Sequence, residues 1–229
     1  RAFSLASEFK QNPHRFADFS LHHEGLLFDF SKNLITAQSL ELLEQLAHEC
    51  GLATAIEAMF AGEAINYTEQ RPALHIAFRD PAQSQREEVK LTQQRMALLV
   101  EQVRSGSWLG YTGKRITDIV NIGIGGSFLG PQLAVQALEP FVTPDLRCHF
   151  LANIDSSSFY QLSRDIHPET TLFIVSSKSF GTLETLKNAL AARQWFLNCG
   201  GKEHELRQHF IAVSSNISKA IEFGIAEEN

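Results

Sequence analysis

Apolar positions recur at a helical period through the first 105 residues and in short continuous runs after that. Residues 1–35 read as a short helix followed by an extended piece, LLFDFSKNLIT. Thr36 is a good helix N-cap. Leu40, Leu43 and Ala47 then fall at helical spacing until Gly51 stops the pattern. A second short helix is expected over 52–61, closed by Gly62, and the stretch 66–79 is irregular, with Pro72 and Pro81 as punctuation. A long amphipathic helix is expected from about 83 to 104, with Val89, Met96, Leu99 and Val103 on one face. Its other face, rich in Gln, Glu and Arg, reads as solvated.

Beyond Gly106 four β-rich runs appear: ITDIVNI (116–122), LRCHFLA (146–152), TLFIVSS (171–177) and HFIAVSS (209–215). The intervals between the first three are long enough for helices. Residues 182–198 read clearly as one, with Leu183, Leu186, Leu190 and Leu197 as its expected buried stripe. Continuous apolar strands alternating with helices predict an α/β fold, a parallel sheet covered on both faces. Right-handed crossovers then bring every strand C-terminus to one edge, where such sheets bind ligands.

Composition narrows the partners. The 229 residues carry 26 acidic and 20 basic side chains, a net charge of −6, and this mild acidity gives no case for nucleic acid. With 44% hydrophobic and 20% charged residues the chain is globular, and its length suits one domain or one and a half. No window approaches the roughly 18 uncharged apolar residues of a membrane span, and the start, RAFSLASEFK, lacks the apolar region of a signal peptide. Cys50, Cys148 and Cys199 are far apart and form no C-x-x-C, so free, buried thiols in a reducing cytosol are expected. The chain begins at Arg1 rather than Met and ends at Asn229 soon after a helix-like stretch, so a fragment cut at both ends is expected.

Two strand ends carry the candidate chemistry. In Asn121-Ile-Gly-Ile-Gly-Gly-Ser127-Phe-Leu-Gly130, four glycines within eight residues exceed the need of one turn. Glycine permits close backbone approach, and the following helix start offers N–H groups to an anion, with the Ser127 hydroxyl beside them. This is neither a dinucleotide fingerprint, because Phe128 stands at the third glycine, nor a Walker A loop, because no Gly-Lys-Ser/Thr follows. In Ser176-Ser-Lys-Ser-Phe-Gly-Thr182-Leu-Glu-Thr185, the hydroxyls of Ser177, Ser179 and Thr182 and the charge of Lys178 suit a phosphate's three oxygens. Simple N-capping by Thr182 explains only one of these hydroxyls. Glu184 would repel an anion and is expected to face elsewhere. On one sheet edge the pair of loops makes a mononucleotide or sugar-phosphate site, and sugar phosphate is favoured because no ribose reader is evident.

The nine histidines form no ligand set. His22 and His23 are expected in a loop, His204 and His209 around a polar turn, and His75 as a packed core residue. There is no H-E-x-x-H and no G-x-S-x-G. Asp155 could face the cleft or cap the next helix.

Longer motifs carry a resemblance. Asn66-Tyr-Thr-Glu-Gln-Arg71 with Leu74-His75-Ile-Ala77-Phe-Arg79, the run from Gly106-Ser-Trp108 through Asp118 to Asn121 and GIGGS, Asn153-Ile-Asp155, and Ser177-Lys178-Ser179-Phe180 with Thr182 and Glu184-Thr185 occur in order. Over nearly its whole length the chain resembles the glucose-6-phosphate isomerase family. The resemblance implies a three-layer α/β/α sugar isomerase (SIS) fold preceded by N-terminal helices, with a division into residues 1–81 and a first SIS subdomain over 82–229. It implies that Gly126 and Ser127 sit beside the sugar phosphate and that Ser177, Lys178, Ser179, Phe180, Gly181 and Thr182 grip the phosphate. It further implies interconversion of glucose 6-phosphate and fructose 6-phosphate in glycolysis and gluconeogenesis, with neither metal nor organic cofactor, by a cytoplasmic homodimer. The family's base glutamate, ring-opening histidine, enediolate-stabilising arginine and a late lysine are expected beyond Asn229, so this chain holds no catalytic residue and is expected to be inactive alone. Three positions depart from the family pattern. Phe128 stands where an aspartate is usual. Gly181 lacks a hydroxyl and is expected to loosen its turn. Leu183 replaces a polar residue. The alternatives are a non-catalytic sugar-phosphate-binding regulator of the same fold and a dinucleotide-binding domain, the latter disfavoured by Ala152-Asn153 where an acidic residue is needed.

Overall fold

The computed structural model describes residues 3–82, 84, 86–142 and 144–229, and the chain divides into two compact units, residues 1–90 and 91–229. The first unit contains α1 (Leu5–Gln11), α2 (Arg15–Asp18), the antiparallel pair β1 (Ser20–His23) and β2 (Leu26–Asp29), α3 (Ala37–Glu49), α4 (Leu52–Ala61) and the start of α5 (Glu87–Ser105). Its organiser is Arg15, almost completely buried. The guanidinium donates to the carbonyls of Ser31 (2.8 Å), Asn33 (3.0 Å) and Ile35 (2.8 Å) and lies 4.3 Å over the Phe19 ring. A buried cation is stable only when its donors are satisfied, and here three backbone carbonyls do so. Thr36 caps α3 by accepting from Ser39 N–H, and Gly62 closes α4 in the left-handed region, as their sequence positions predict. Positions 83 and 85 of the expected long helix lie outside the described residues; α5 itself begins at Glu87.

Two expectations for the histidines of this unit fail. His22 and His23 lie on β1 rather than in a loop, because Glu24 and Gly25, both at positive φ, turn the chain back as a two-residue hairpin. His75 is exposed, not packed.

The second unit is built on a four-stranded parallel sheet in the order β4-β3-β5-β6, made of β3 (Asp118–Ile122), β4 (Arg147–Leu151), β5 (Thr171–Ser176) and β6 (Phe210–Val213). Alternate residues face opposite sides. Val120, Ile122, Phe173, Val175 and Phe210 form one face, covered by α7 (Ser156–Leu162), α8 (Leu183–Asn198) and α10 (Ile217–Phe223). Ile119, Leu172, Ile174 and Ile211 form the other, covered by Leu99 and Val103 of α5 and by Trp108. On that second face α6 (Gly126–Ala137) places Phe128 edge-on to Phe150, 6.1 Å between ring centres. The short helix α9 (Leu206–His209) leads directly into β6. Helices on both faces of a parallel sheet give the expected three layers.

The buried stripe of α8 is not the leucine row. Leu183 and Leu190 are exposed, and the buried positions are Thr185, Asn188, Ala189, Ala192 and Phe196. Small residues let the helix axis approach the sheet closely, and one large ring, Phe196, fills the remaining space. The cysteines are exposed, not buried: Cys50 and Cys199 cap the C-termini of α3 and α8 at surface turns, and Cys148 lies on the edge strand β4. No helix among the described residues is long and apolar enough to cross a membrane.

Candidate functional site

Both candidate loops leave the C-terminal ends of adjacent parallel strands. The glycine-rich loop follows β3 and opens α6, and the hydroxyl-rich loop follows β5 and opens α8. Gly123 lies where they meet. A Cβ there would stand 2.9 Å from Ser127 Cβ and 3.1 Å from the Ser176 carbonyl oxygen, so the absence of a side chain brings the loops into contact. Gly125, with φ of 56°, makes the turn into α6.

A buried polar bridge fixes that contact. Asn121 Nδ2 donates to the Ser127 carbonyl (2.9 Å), and Ser176 Oγ donates to Asn121 Oδ1 (3.0 Å). Both residues are buried, so the bridge is shielded from water; the first bond closes the glycine-rich loop on itself and the second ties it to the other loop. Sequence reasoning quoted both residues only as flanks of the motifs. The available signal was a polar Asn inside the otherwise apolar run ITDIVNI.

Within the second loop, the Ser177 hydroxyl is 3.2 Å from the Thr182 hydroxyl, and Ser177 N–H donates to the Val213 carbonyl of β6. Thr182 occupies the N-cap position of α8 but its side chain makes no capping bond. N-capping therefore does not account for its hydroxyl. The first N–H groups of a helix have no intrahelical acceptor, so a 16-residue helix presents donors and the positive end of its dipole at this point. Phe180 is buried with φ of 47°, a conformation unusual for an aromatic residue, and its ring packs edge-on to Phe223. Ser179 and Lys178 are exposed at the tip, while the Lys178 carbonyl accepts from Ser214 Oγ (3.1 Å) and Ser215 Oγ (2.8 Å).

Nothing in the geometry demands glycine at 181. Its φ is not positive, and an added Cβ would make only ordinary contacts, the nearest at 3.5 Å to Lys219 Nζ. Gly181→Ala is expected to raise stability by about 0.5 kcal/mol, through reduced freedom of the unfolded chain. A fall in the urea midpoint would show that the turn needs glycine after all.

The loop after β4 completes the edge. Asp155 caps α7, its carboxylate accepting from Ser157 N–H (2.8 Å), and the Ser157 hydrogen bonds hold its pKa below the usual carboxylate value. Capping thus uses the carboxylate that could otherwise have faced the cleft. Asn188, buried on α8, donates to the Asn153 carbonyl (3.0 Å) and anchors this loop. Two grooves of the unit lie elsewhere, one of about 440 Å³ beside Trp108 and Arg207 and one of about 360 Å³ along β6 and α10. Neither includes a residue of the two loops, and the donor chemistry marks the site.

Comparison with known proteins agrees with this layout. The family model described as phosphoglucose isomerase matches residues 29–229. A glucose-6-phosphate isomerase of Ectopseudomonas mendocina is 55% identical over 99% of this chain, and one of Pseudomonas aeruginosa is 56% identical over 99%. The chain spans about 42% of the length of these relatives. The crystal structure of a glucose-6-phosphate isomerase from Chlamydia trachomatis superposes with a TM-score of 0.67 at 29% identity, over 93% of this chain and 41% of that one. The chain belongs to the phosphoglucose isomerase family.

Proposed function

We propose that this chain carries the phosphate-binding part of an enzyme that interconverts glucose 6-phosphate and fructose 6-phosphate. One observation carries the reading. Two loops at the C-terminal ends of β3 and β5 are locked together through Asn121 and Ser176, and they present Ser127, Ser177, Ser179 and Thr182 at the N-termini of α6 and α8. Neutral hydroxyls and helix N–H groups at adjacent strand ends suit a phosphate ester, whose oxygens they can bind directly. Gly126 and Ser127 would lie along the sugar, and the segment Ser177–Thr182, with Lys178, Phe180 and Gly181, would enclose the phosphate.

Isomerisation through an enediol needs a base, an acid to open the ring, and a positive group for the enediolate. In this proposal those groups come from the part of the relatives that this chain does not span, and the work of the present residues is to hold the phosphate so that C1 and C2 reach them. Binding energy from a remote phosphate then serves positioning at the reacting carbons. Residues 82–229 would form the first of two SIS subdomains, after an N-terminal segment of residues 1–81. The whole protein would be a cytoplasmic homodimer acting in glycolysis and gluconeogenesis.

Calorimetric titration with glucose 6-phosphate, with glucose as control, tests the reading. Binding that requires the phosphate is expected, and Ser177→Ala should weaken it about tenfold, the loss of one charge-assisted hydrogen bond. Equal affinity for glucose and glucose 6-phosphate would exclude a phosphate site here. The purified 229-residue chain is expected to show no isomerase activity in a coupled assay.

A further inference from the structure

The hydroxyl-rich loop is held from a third direction, by the turn between β6 and α10. Ser214 and Ser215 bind the Lys178 carbonyl, and Asn216, the N-cap of α10, donates from Nδ2 to the Ser179 carbonyl (3.3 Å). The same Asn216 side chain accepts from Lys219 N–H (3.2 Å), which fixes the first turn of α10 against the loop. From that turn the Lys219 side chain reaches back over the loop. Its ammonium lies 3.5 Å from the point where a Cβ on Gly181 would stand. Lys219 is exposed, and among the described residues no carboxylate pairs with it.

An independent sign points to a ligand at the same place. Thr185, in the first turn of α8 and 2% exposed, has a hydroxyl with no hydrogen-bond partner among the described residues. It packs beside Ser177, Phe180 and Gly181, where the loop leaves no space for a water molecule. A buried hydroxyl without a partner is costly, and this cost falls on the loop that the phosphate would contact.

We propose that Lys219 is a phosphate-binding residue of this site, supplying from α10 the positive charge that selects a dianionic phosphate ester over a neutral sugar. The inference rests on the anion-site reading above and adds to it a residue from a third strand end. Hydroxyls and helix N–H groups orient the phosphate. A second ammonium, beside that of Lys178 in the loop itself, adds long-range attraction, and that attraction weakens with salt. Lys219 escapes a motif search because it lies 37 residues beyond Thr182, in the unremarkable stretch ISKAIEF.

The test is calorimetry of the whole 229-residue chain with glucose 6-phosphate at low and moderate salt, using four proteins. Lys219→Gln is expected to weaken binding about tenfold and to flatten its salt dependence, with unchanged thermal unfolding. Lys219→Arg should stay within about twofold of the parent, since the charge remains in reach. Lys187→Gln, on the exposed side of α8, makes the same change in net charge and should match the parent. The proposal is overturned if Lys219→Gln binds like the parent, or if Lys187→Gln weakens binding equally. A parent chain that binds glucose 6-phosphate no better than glucose overturns the anion-site reading itself, and the role of Lys219 with it.

Discussion

Gly110→Ala is expected to lower the unfolding free energy of residues 91–229 by about 3 kcal/mol, at the upper end of the usual cost of overpacking. A Cβ at 110 would stand 2.0 Å from the Glu169 carbonyl oxygen and 2.9 Å from His209 Cε1. Neither neighbour can yield cheaply. Glu169 belongs to the 3₁₀ turn Pro168–Thr170, whose last carbonyl accepts from Thr117 N–H (2.9 Å) at the entry to β3. His209 is fully buried, packed 4.7 Å from the Phe196 ring, with both nitrogens engaged: Tyr111 N–H donates to Nε2 (3.0 Å) and Nδ1 lies 2.7 Å from the Thr171 carbonyl. The intruding methyl therefore meets backbone on one side and an immobilised ring on the other. Urea unfolding followed by near-ultraviolet circular dichroism measures the loss, with Gly181→Ala as the unclashed comparison. A midpoint equal to the parent's would mean that the turn at 110 relaxes freely.

The same contact shows where the sequence ceases to inform. The strands and the caps at Thr36 and Gly62 are legible because they depend on neighbours in sequence: apolar runs, a hydroxyl before a helix, a glycine after one. The two loops are legible for the same reason, since each is a contiguous motif. His209 is different. Its partners, Tyr111 and Thr171, are 98 and 38 residues away, so a buried, doubly bonded ring looked like part of a polar turn. The stripe of α8 was misread because leucine spacing reports amphipathicity but not which arc the sheet touches, and close packing against strands favours Ala189 and Ala192 over Leu190. Asn121 and Lys219 follow the same rule. Each acts across strands, on a loop distant in sequence, and only the parallel order β3-β5-β6 brings them to it.

Acidification is expected to remove stability from this unit in two steps, and Asp118 carries the larger. Asp118 is fully buried at the start of β3. Burial pushes its pKa up, but hydrogen bonds from Arg147, His149 and Thr117 outweigh that and hold the carboxyl below its ordinary value of 3.8. In the unfolded chain the group takes up a proton first, so its contribution is complete above about pH 4 and disappears as the pH falls through the lower folded value. His209 acts earlier. Burial strips water from the charged ring and lowers its pKa from 6.5, against smaller opposing pulls from the Thr171 carbonyl and Glu205, whereas the unfolded imidazole protonates freely. Its contribution is therefore complete above about pH 6.5 and declines below that. Asp118→Asn should cost about 3 kcal/mol at pH 7, toward the lower end for a broken buried pair because Arg147 is half-exposed and water can solvate it. That deficit should shrink as the pH approaches 3, where the parent's carboxylate is itself being lost. His209→Gln should instead flatten the profile just below about pH 6.5 and leave the lower step intact. Urea midpoints at half-unit pH intervals separate the two. An Asp118→Asn deficit that stays constant down to pH 3 would remove the carboxylate from the account and leave its cost to packing alone.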